Sequence, residues 1–256
     1  MKIVILTGVT SGMGEEFAFQ LDRSLKHIDQ FWLIGRDLDK LETLKKRMKN
    51  KCKCFVCDLN ERTELKKVMR ELYAGEYEIK MLVNCAGYGK IGRFEEITYN
   101  DNMGMIDVNC RALTSLTYDC IPFMAYNSRI INVASSGAFV PQPYFAVYCA
   151  TKAYVLSFSR ALNAELKDKE VFVTAVCPGP VATRFFETAE STGHKLAIKE
   201  YVMAQPDAVV KKAIRDSLQK KELSVYGVAI KSFQVLAKCT PHKIIIEIIR
   251  LMKQMS

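Results

Sequence analysis

The chain of 256 residues is 49% hydrophobic and 25% charged, the balance of a globular protein with enough apolar mass for a substantial core. No apolar stretch approaches the roughly 18 residues of a membrane span, and the opening MKIVILTG is too short for a secretion signal, so a cytoplasmic location is expected. The formal net charge is +9, and from Lys195 onward 12 Lys/Arg face 5 Asp/Glu; such an end suits an anionic surface or substrate, or is a solvated helix face, and no nucleic-acid recognition motif accompanies it.

In chain order, β-rich runs are predicted at 3–7 (IVILT), 31–35 (FWLIG), 54–59 (CFVCDL), 80–84 (KMLVN), 129–135 (RIINVAS), 171–176 (VFVTAV) and 223–227 (LSVYG). Between them lie segments with helical apolar spacing, such as 38–49 and 62–73. Seven strands alternating with helices predict an α/β fold: a doubly wound, seven-stranded parallel sheet of Rossmann type with helices on both faces. No linker, repeat or low-complexity tract divides it, so residues 1–256 read as one domain.

Three glycines, Gly8, Gly12 and Gly14, follow the first strand in TGVTSGMG. They fall where such a fold binds pyrophosphate against a helix N-terminus, though not at the G-x-G-x-x-G spacing. The nine cysteines are scattered and odd in number, which reads as free thiols in a reducing compartment. Cys52, Cys54 and Cys57 cluster on and just before the predicted third strand with no second Cys pair at zinc spacing, and His27, His194 and His242 are far away in sequence, so no metal site is expected.

Further along, VYCATKAY places Tyr148 and Lys152 four residues apart, on one face of a predicted helix. A phenol ordinarily titrates near 10, and an adjacent ammonium would pull it down and suit it to proton transfer at a substrate oxygen. Ser135 ends the fifth strand, 13 residues before Tyr148, with Ser136 its rival; NCAG at 84–87, Asn109 and CPGPVAT at 177–183 complete the pattern. Together, TGVTSGMG, NCAG, Asn109, Ser135, YCATK and PGPVAT resemble the short-chain dehydrogenase/reductase family, in its order and spacing, from Thr7 to Thr183.

That resemblance implies an NAD(P)-dependent oxidoreductase, passing hydride between nicotinamide and a ketone or secondary alcohol. It implies that Tyr148 is the general acid or base, that Lys152 lowers its pKa and binds the nicotinamide ribose, and that Ser135 orients the carbonyl. Asn109 would hold a water in a proton relay. Gly8, Thr10, Ser11, Gly12, Met13 and Gly14 would line the pyrophosphate loop. Asp58 and Leu59 would meet the adenine, while Asn84, Ala86 and Gly87 would run under the adenosine ribose. Pro178, Gly179, Val181 and Thr183 would wrap the nicotinamide. Cys85 departs from the asparagine frequent at its position. A non-catalytic redox sensor of the same fold is the alternative, and retention of Asn109, Ser135, Tyr148 and Lys152 argues against it. The family also implies a homodimer or homotetramer.

The second strand ends WLIGRD, with Gly35 where an NAD enzyme would carry an acid and Arg36 next, which favours NADP(H) over NAD(H) and hence reduction. Asp37 reads as the cap of the next helix. Residues 184–206 would form a substrate lid, where Phe185, Phe186, Tyr201 and Met203, helped by Tyr144, Phe145 and Tyr88, close an apolar pocket or simply join the core. An apolar pocket would suit a hydrophobic ketone such as a steroid or acyl chain. Residues 229–256 form a helical extension in which Pro241 opens a helix. Its stripe of Ile244, Ile245, Ile248, Leu251, Met252 and Met255 is expected to pack on the chain's own core or a partner subunit, with peripheral membrane docking as the sharper alternative. This tail resembles a subgroup with ketoacyl and hydroxysteroid reductases.

Overall fold

The computed structural model describes residues 1–194 and 202–254, the last three of these by backbone alone. Its spine is a parallel seven-stranded sheet ordered β3-β2-β1-β4-β5-β6-β7. The strands are β1 (Lys2–Thr7), β2 (Gln30–Gly35), β3 (Cys52–Val56), β4 (Glu78–Asn84), β5 (Met124–Val133), β6 (Val171–Val176) and β7 (Leu223–Ser224). Unbroken aliphatic runs form such strands when both faces are covered, and Ile3, Val4, Ile5 and Leu6 of β1 are all fully buried.

Alternation along β1 divides the core. Ile3 and Ile5 join Trp32, Ile34 and Leu72 beneath α3 (Arg62–Ala74), α5 (Leu113–Cys120) and α6 (Ala146–Glu165). Val4 and Leu6 join Phe17, Phe31 and Leu33 beneath α1 (Gly12–Ser24), α2 (Leu38–Arg47) and α8 (Pro206–Leu218). Because β1 pairs with both β2 and β4, the chain reverses its order of strands there. The crevice at the carboxyl ends of β1 and β4 is where such sheets bind ligands.

Several boundaries differ from expectation. β5 begins at Met124 and stops at Val133, so Ser135 lies just beyond the strand, its Oγ accepting from Gly137 N at 3.1 Å. β3 stops at Val56, so Cys57, Asp58 and Leu59 lie in the following loop, where Asp58 accepts from Asn60 N (2.9 Å). β7 is only two residues long, because the edge strand yields at Gly227, φ +83°, to helix α9 (Val228–Cys239). Between α4 (Tyr99–Ile106) and α5, residues Asp107–Ala112 wind as a π-helix, a break in the regular ladder that sequence periodicity does not reveal. Asp37 caps α2 as expected, accepting from Lys40 N at 3.1 Å.

At the end of the chain, α9 and α10 (His242–Gln254) form a helical hairpin joined at Thr240–Pro241. The predicted stripe divides between two environments. Ile245 and Ile249 pack with Val140, Phe139, Phe233 and Ala237, whereas Ile244, Ile248 and Leu251 stand about half exposed. The side chains of Met252 and Met255 lie outside the described residues. No helix among the described residues is long and apolar enough to cross a membrane.

Candidate active site

The turn from β1 into α1 has a shape that only glycine permits. Gly8 has φ +70°, and a Cβ on it would come within 2.7 Å of Ala86 Cα; one on Gly14 would lie 2.1 Å from the Gly8 carbonyl oxygen. Thr7 holds the two strand ends together, its Oγ1 accepting from Cys85 N and Ala86 N, both at 3.1 Å. Ser11 is the N-cap residue of α1, yet its side chain makes no capping bond. The first-turn N–H groups therefore point out of the helix end uncapped, a fit for pyrophosphate oxygens.

Around this cradle lie the other expected dinucleotide residues. Arg36 is exposed just past β2, and a side chain in place of Gly35 would strike Thr10 Cγ2 at 2.7 Å. An acid at that point would have to displace the Thr10 side chain. Asp58 and Leu59 follow β3, and Ala86 and Gly87 follow β4. Asn84 is different: its side chain is buried, donating to Thr117 Oγ1 (3.0 Å) and Asn132 Oδ1 (2.8 Å), while Asn132 donates to Ser159 Oγ (2.9 Å). Its amide thus braces β4 against β5 and α5, and Asn132 carries the link on to α6.

Tyr148 and Lys152 lie one turn apart near the start of α6, and both are nearly enclosed, at 7% and 4% exposure. Burial raises the Tyr148 phenol well above its ordinary value, against the opposing hydrogen bond of Ser135. The expected downward pull from Lys152 is absent here. Its Nζ turns away to donate to Val133 O (2.8 Å) and lies 5.7 Å from the centre of the Tyr148 ring. Burial also lowers Lys152 itself, to about 8, because an ammonium in an apolar surround is costly. Cys85, Cys149 and Cys177 nearby are pushed up to about 12 by the same cause, so they remain protonated thiols at neutral pH.

Asn109 lies in the π-helical segment with every side-chain polar atom engaged. Its Nδ2 donates to Tyr88 O (2.9 Å) and Thr151 Oγ1 (3.0 Å), and its Oδ1 accepts from Tyr88 N (3.1 Å). Thr151 in turn donates to Tyr148 O (2.7 Å). Sequence reading passed over Thr151, although it stands inside YCATK. It ties the π-helical segment, the loop after β4 and α6 into one block.

Beside this block lies an apolar cavity of about 330 Å³, whose wall includes Ser135, Tyr148, Lys152, Gly179, Val181 and Thr183. Phe145, Phe185 and Phe186 contribute to it, and Phe145 and Phe185 also belong to a buried cluster with Tyr148. Phe145 stacks on Tyr148 with ring centres 4.3 Å apart. Tyr88, Tyr144 and Met203 do not line it: Tyr88 donates its hydroxyl to Asp101 O, Tyr144 packs against His194, and Met203 is 42% exposed. Tyr201 lies outside the described residues. In their place the wall is completed by Ala229, Ile230 and Phe233 of α9 and Ile249 of α10, which sequence reading had not assigned to the pocket. Their helical spacing was visible; which core it faced was not.

The family model for short chain dehydrogenase matches residues 2–193. The very-long-chain 3-oxoacyl-CoA reductase of Homo sapiens is 32% identical over 221 residues, covering 82% of this chain and 67% of that protein. Nodulation protein G of Rhizobium sp. (strain N33) is 31% identical over 202 residues, covering 78% of this chain and 79% of that one. Among solved structures, a short-chain dehydrogenase from Sphingobium yanoikuyae in complex with NADPH superposes with a TM-score of 0.80 at 25% identity, covering 93% and 94% of the two chains. A sheet of this order, a glycine cradle at its switch point and a Ser–Tyr–Lys group on one pocket wall accord with those matches, and the chain belongs to the short-chain dehydrogenase/reductase family of NAD(P)-dependent oxidoreductases.

Proposed function

We propose that this protein reduces the ketone of a hydrophobic substrate with NADPH, as one catalytic domain spanning residues 1–256, in the cytoplasm and as a homodimer or homotetramer. The observation that carries the reading is the placement of Ser135, Tyr148 and Lys152 together on the wall of an otherwise apolar cavity beside the glycine turn. The dinucleotide, when bound, supplies the hydride. Gly8, Thr10, Ser11, Gly12, Met13 and Gly14 hold its pyrophosphate, and Asp58, Leu59, Ala86, Gly87 and the Asn84 backbone flank its adenosine. Pro178, Gly179, Val181 and Thr183 border its nicotinamide.

The substrate carbonyl oxygen is placed between the Ser135 hydroxyl and the Tyr148 phenol. Ser135 orients it, and Tyr148 delivers a proton to the oxygen as negative charge develops there. A phenol raised by burial holds its proton until a stronger base forms beside it, which suits an acid and disfavours a phenolate base. Lys152, carried on the same face of α6, binds the ribose and reloads Tyr148, and Asn109 positions the water that feeds it. Arg36 supports NADP(H), since a guanidinium can grip a 2′-phosphate where Gly35 leaves no acid to repel it. The relative named as a 3-oxoacyl-CoA reductase makes acyl ketones the first class to test.

The test follows NADPH and NADH oxidation with 3-oxoacyl thioesters, steroid ketones and small ketones. Turnover is expected with NADPH on an apolar ketone, falling at least about a hundredfold in Tyr148→Phe while cofactor binding persists. Arg36→Ala should lower kcat/KM for NADPH by about ten- to a hundredfold and leave NADH nearly unchanged. Equal losses with both cofactors would refute the role of Arg36. Full activity in Tyr148→Phe would refute the mechanism.

A further inference from the structure

The C-terminal hairpin is apolar on both sides. Its inner side, with Ile230, Phe233 and Ile249, walls the cavity. Its outer side carries Val228, Val235 and Leu236 on α9 and Ile244, Ile248 and Leu251 on α10, between 48% and 81% exposed. On α9, Val228 and Val235 lie on the arc opposite Ile230 and Ala237, a face separate from the core, whereas Leu236 borders the inner set beside Ala229.

The charges on this hairpin are mostly positive. Lys231, Lys238, Lys243 and Arg250 are exposed, against the single acid Glu247, which pairs with Arg250. Lys231, Lys238 and Lys243 have no acidic partner among the described residues. Helical spacing puts Lys231 and Lys238 next to Val228 and Val235, and Lys243 immediately before Ile244. Apolar residues rimmed by unpaired lysines match the chemistry of a lipid surface with anionic headgroups. A second copy of the chain laid face to face on the same surface would set these cations against their own duplicates.

We propose that the α9–α10 hairpin docks peripherally on an anionic membrane surface, its outer isoleucines and valines entering the headgroup boundary and its lysines meeting lipid phosphates. The hairpin would then be the partition between the bilayer and the apolar cavity, a short path for a lipophilic ketone. Docking itself is independent of the reaction proposed above.

The test uses the full chain and two sets of vesicles, phosphatidylcholine alone and phosphatidylcholine with phosphatidylglycerol, read by co-sedimentation. Binding is expected to the anionic vesicles, at least tenfold weaker on neutral ones, and weakened by salt. Lys238→Gln and Lys243→Gln should each reduce it about fivefold, and Ile244→Ser with Ile248→Ser about tenfold or more. Because these side chains are exposed, the variants should retain the parent melting temperature; should the paired variant unfold, Val235→Ser on the other helix replaces it. A local readout comes from a polarity-sensitive dye on Cys239, the exposed thiol one turn beyond Val235, since burial pushes the half-buried thiols Cys52, Cys54, Cys85 and Cys110 up and slows their labelling. A blue shift confined to anionic vesicles supports docking. Absence of vesicle binding overturns the proposal, as does binding that the hairpin variants leave unchanged. A dimer that the isoleucine pair dissociates, without any vesicle binding, also overturns it and assigns the face to a second copy.

Discussion

Lys152 tests the electrostatic reading of the pocket, because its expected effects on folding and on activity have opposite signs. Burial lowers its pKa from 10.5 to about 8, so the folded protein binds that proton less tightly than the unfolded chain does. Below pH 8 the full penalty is present; it is relieved as pH rises from 8 towards 10.5, where both states become neutral. At pH 7 it amounts to about 3 kcal/mol, and at pH 9.5 about 1 kcal/mol remains. Lys152→Met keeps the buried stem and removes the charge, giving up one bond to Val133 O. The variant should therefore be more stable than the parent by about 2 kcal/mol at pH 7, with that margin shrinking by pH 9.5, while turnover is lost. Urea unfolding of both proteins at several pH values measures it. The difference between the two curves is the quantity to read. Thiols such as Cys85, Cys149 and Cys177, raised to about 12 chiefly by burial, impose an opposite slope above pH 9 in both proteins; Lys152 opposes the rise at Cys85 and Cys177, so the margin is read chiefly between pH 7 and 9. A margin that is flat with pH, or a variant less stable at pH 7, would refute the assignment of a burial-driven shift.

Gly14→Ala would set a methyl 2.1 Å from the Gly8 carbonyl oxygen, so dinucleotide affinity should fall at least about tenfold by calorimetry; unchanged affinity would refute the cradle. Phe233→Ala removes a ring from the cavity wall and should shift relative kcat/KM towards bulkier or longer ketones by about tenfold, whereas an unchanged profile would deny the hairpin its place in the pocket. Asp216 is buried, which alone would raise its pKa, but donors Lys212 (2.5 Å), Ser224 (2.8 Å) and Lys221 (3.0 Å) outweigh this and hold it below the usual carboxylate range. Its stabilisation is present above pH 4 and lost as pH falls through that lowered value. Asp216→Asn should cost about 3 kcal/mol at pH 7 in chemical denaturation and progressively less in acid; an equal cost at both would refute the linkage.

What the sequence discloses depends on how local the cause is. Seven aliphatic runs in a strict βαβ alternation determine the sheet, because each strand must be covered on both faces and its residues alone say so. Gly8, Gly12, Gly14, Tyr148 and Lys152 were readable because their spacing within one turn or one helix carries the geometry. The π-helical winding of Asp107–Ala112 was not readable: it depends on Asn109 reaching Tyr88 and Thr151, partners 21 and 42 residues away. The same applies to the lid. Aromatic residues near 184–206 were visible, but whether Tyr88 or Tyr144 turned to the cavity depended on Asp101 and His194 across the fold. The short β7 likewise reflects the departure of the chain into α9, not any weakness in LSVYG.

The two halves of the pocket are supported differently, and this bears on what each can change. Ser135, Tyr148 and Lys152 rest on β5 and α6, locked by Thr151, Asn109, Asn132 and Ser159 through buried hydrogen bonds. Altering any of these moves a shared block, so the chemistry is held rigid. The opposite wall comes from α7 (Phe185–Ala189), α9 and α10, where only Ala189, Ala237 and Ile245 among the described residues are fully enclosed. Contacts there are apolar and non-directional, so exchanging Ile230, Phe233 or Ile249 reshapes the cavity without disturbing a hydrogen-bonded partner. Substrate range can therefore vary on this wall while proton transfer on the other stays as it is. The helices that set the range are also the ones whose outer face meets the surroundings.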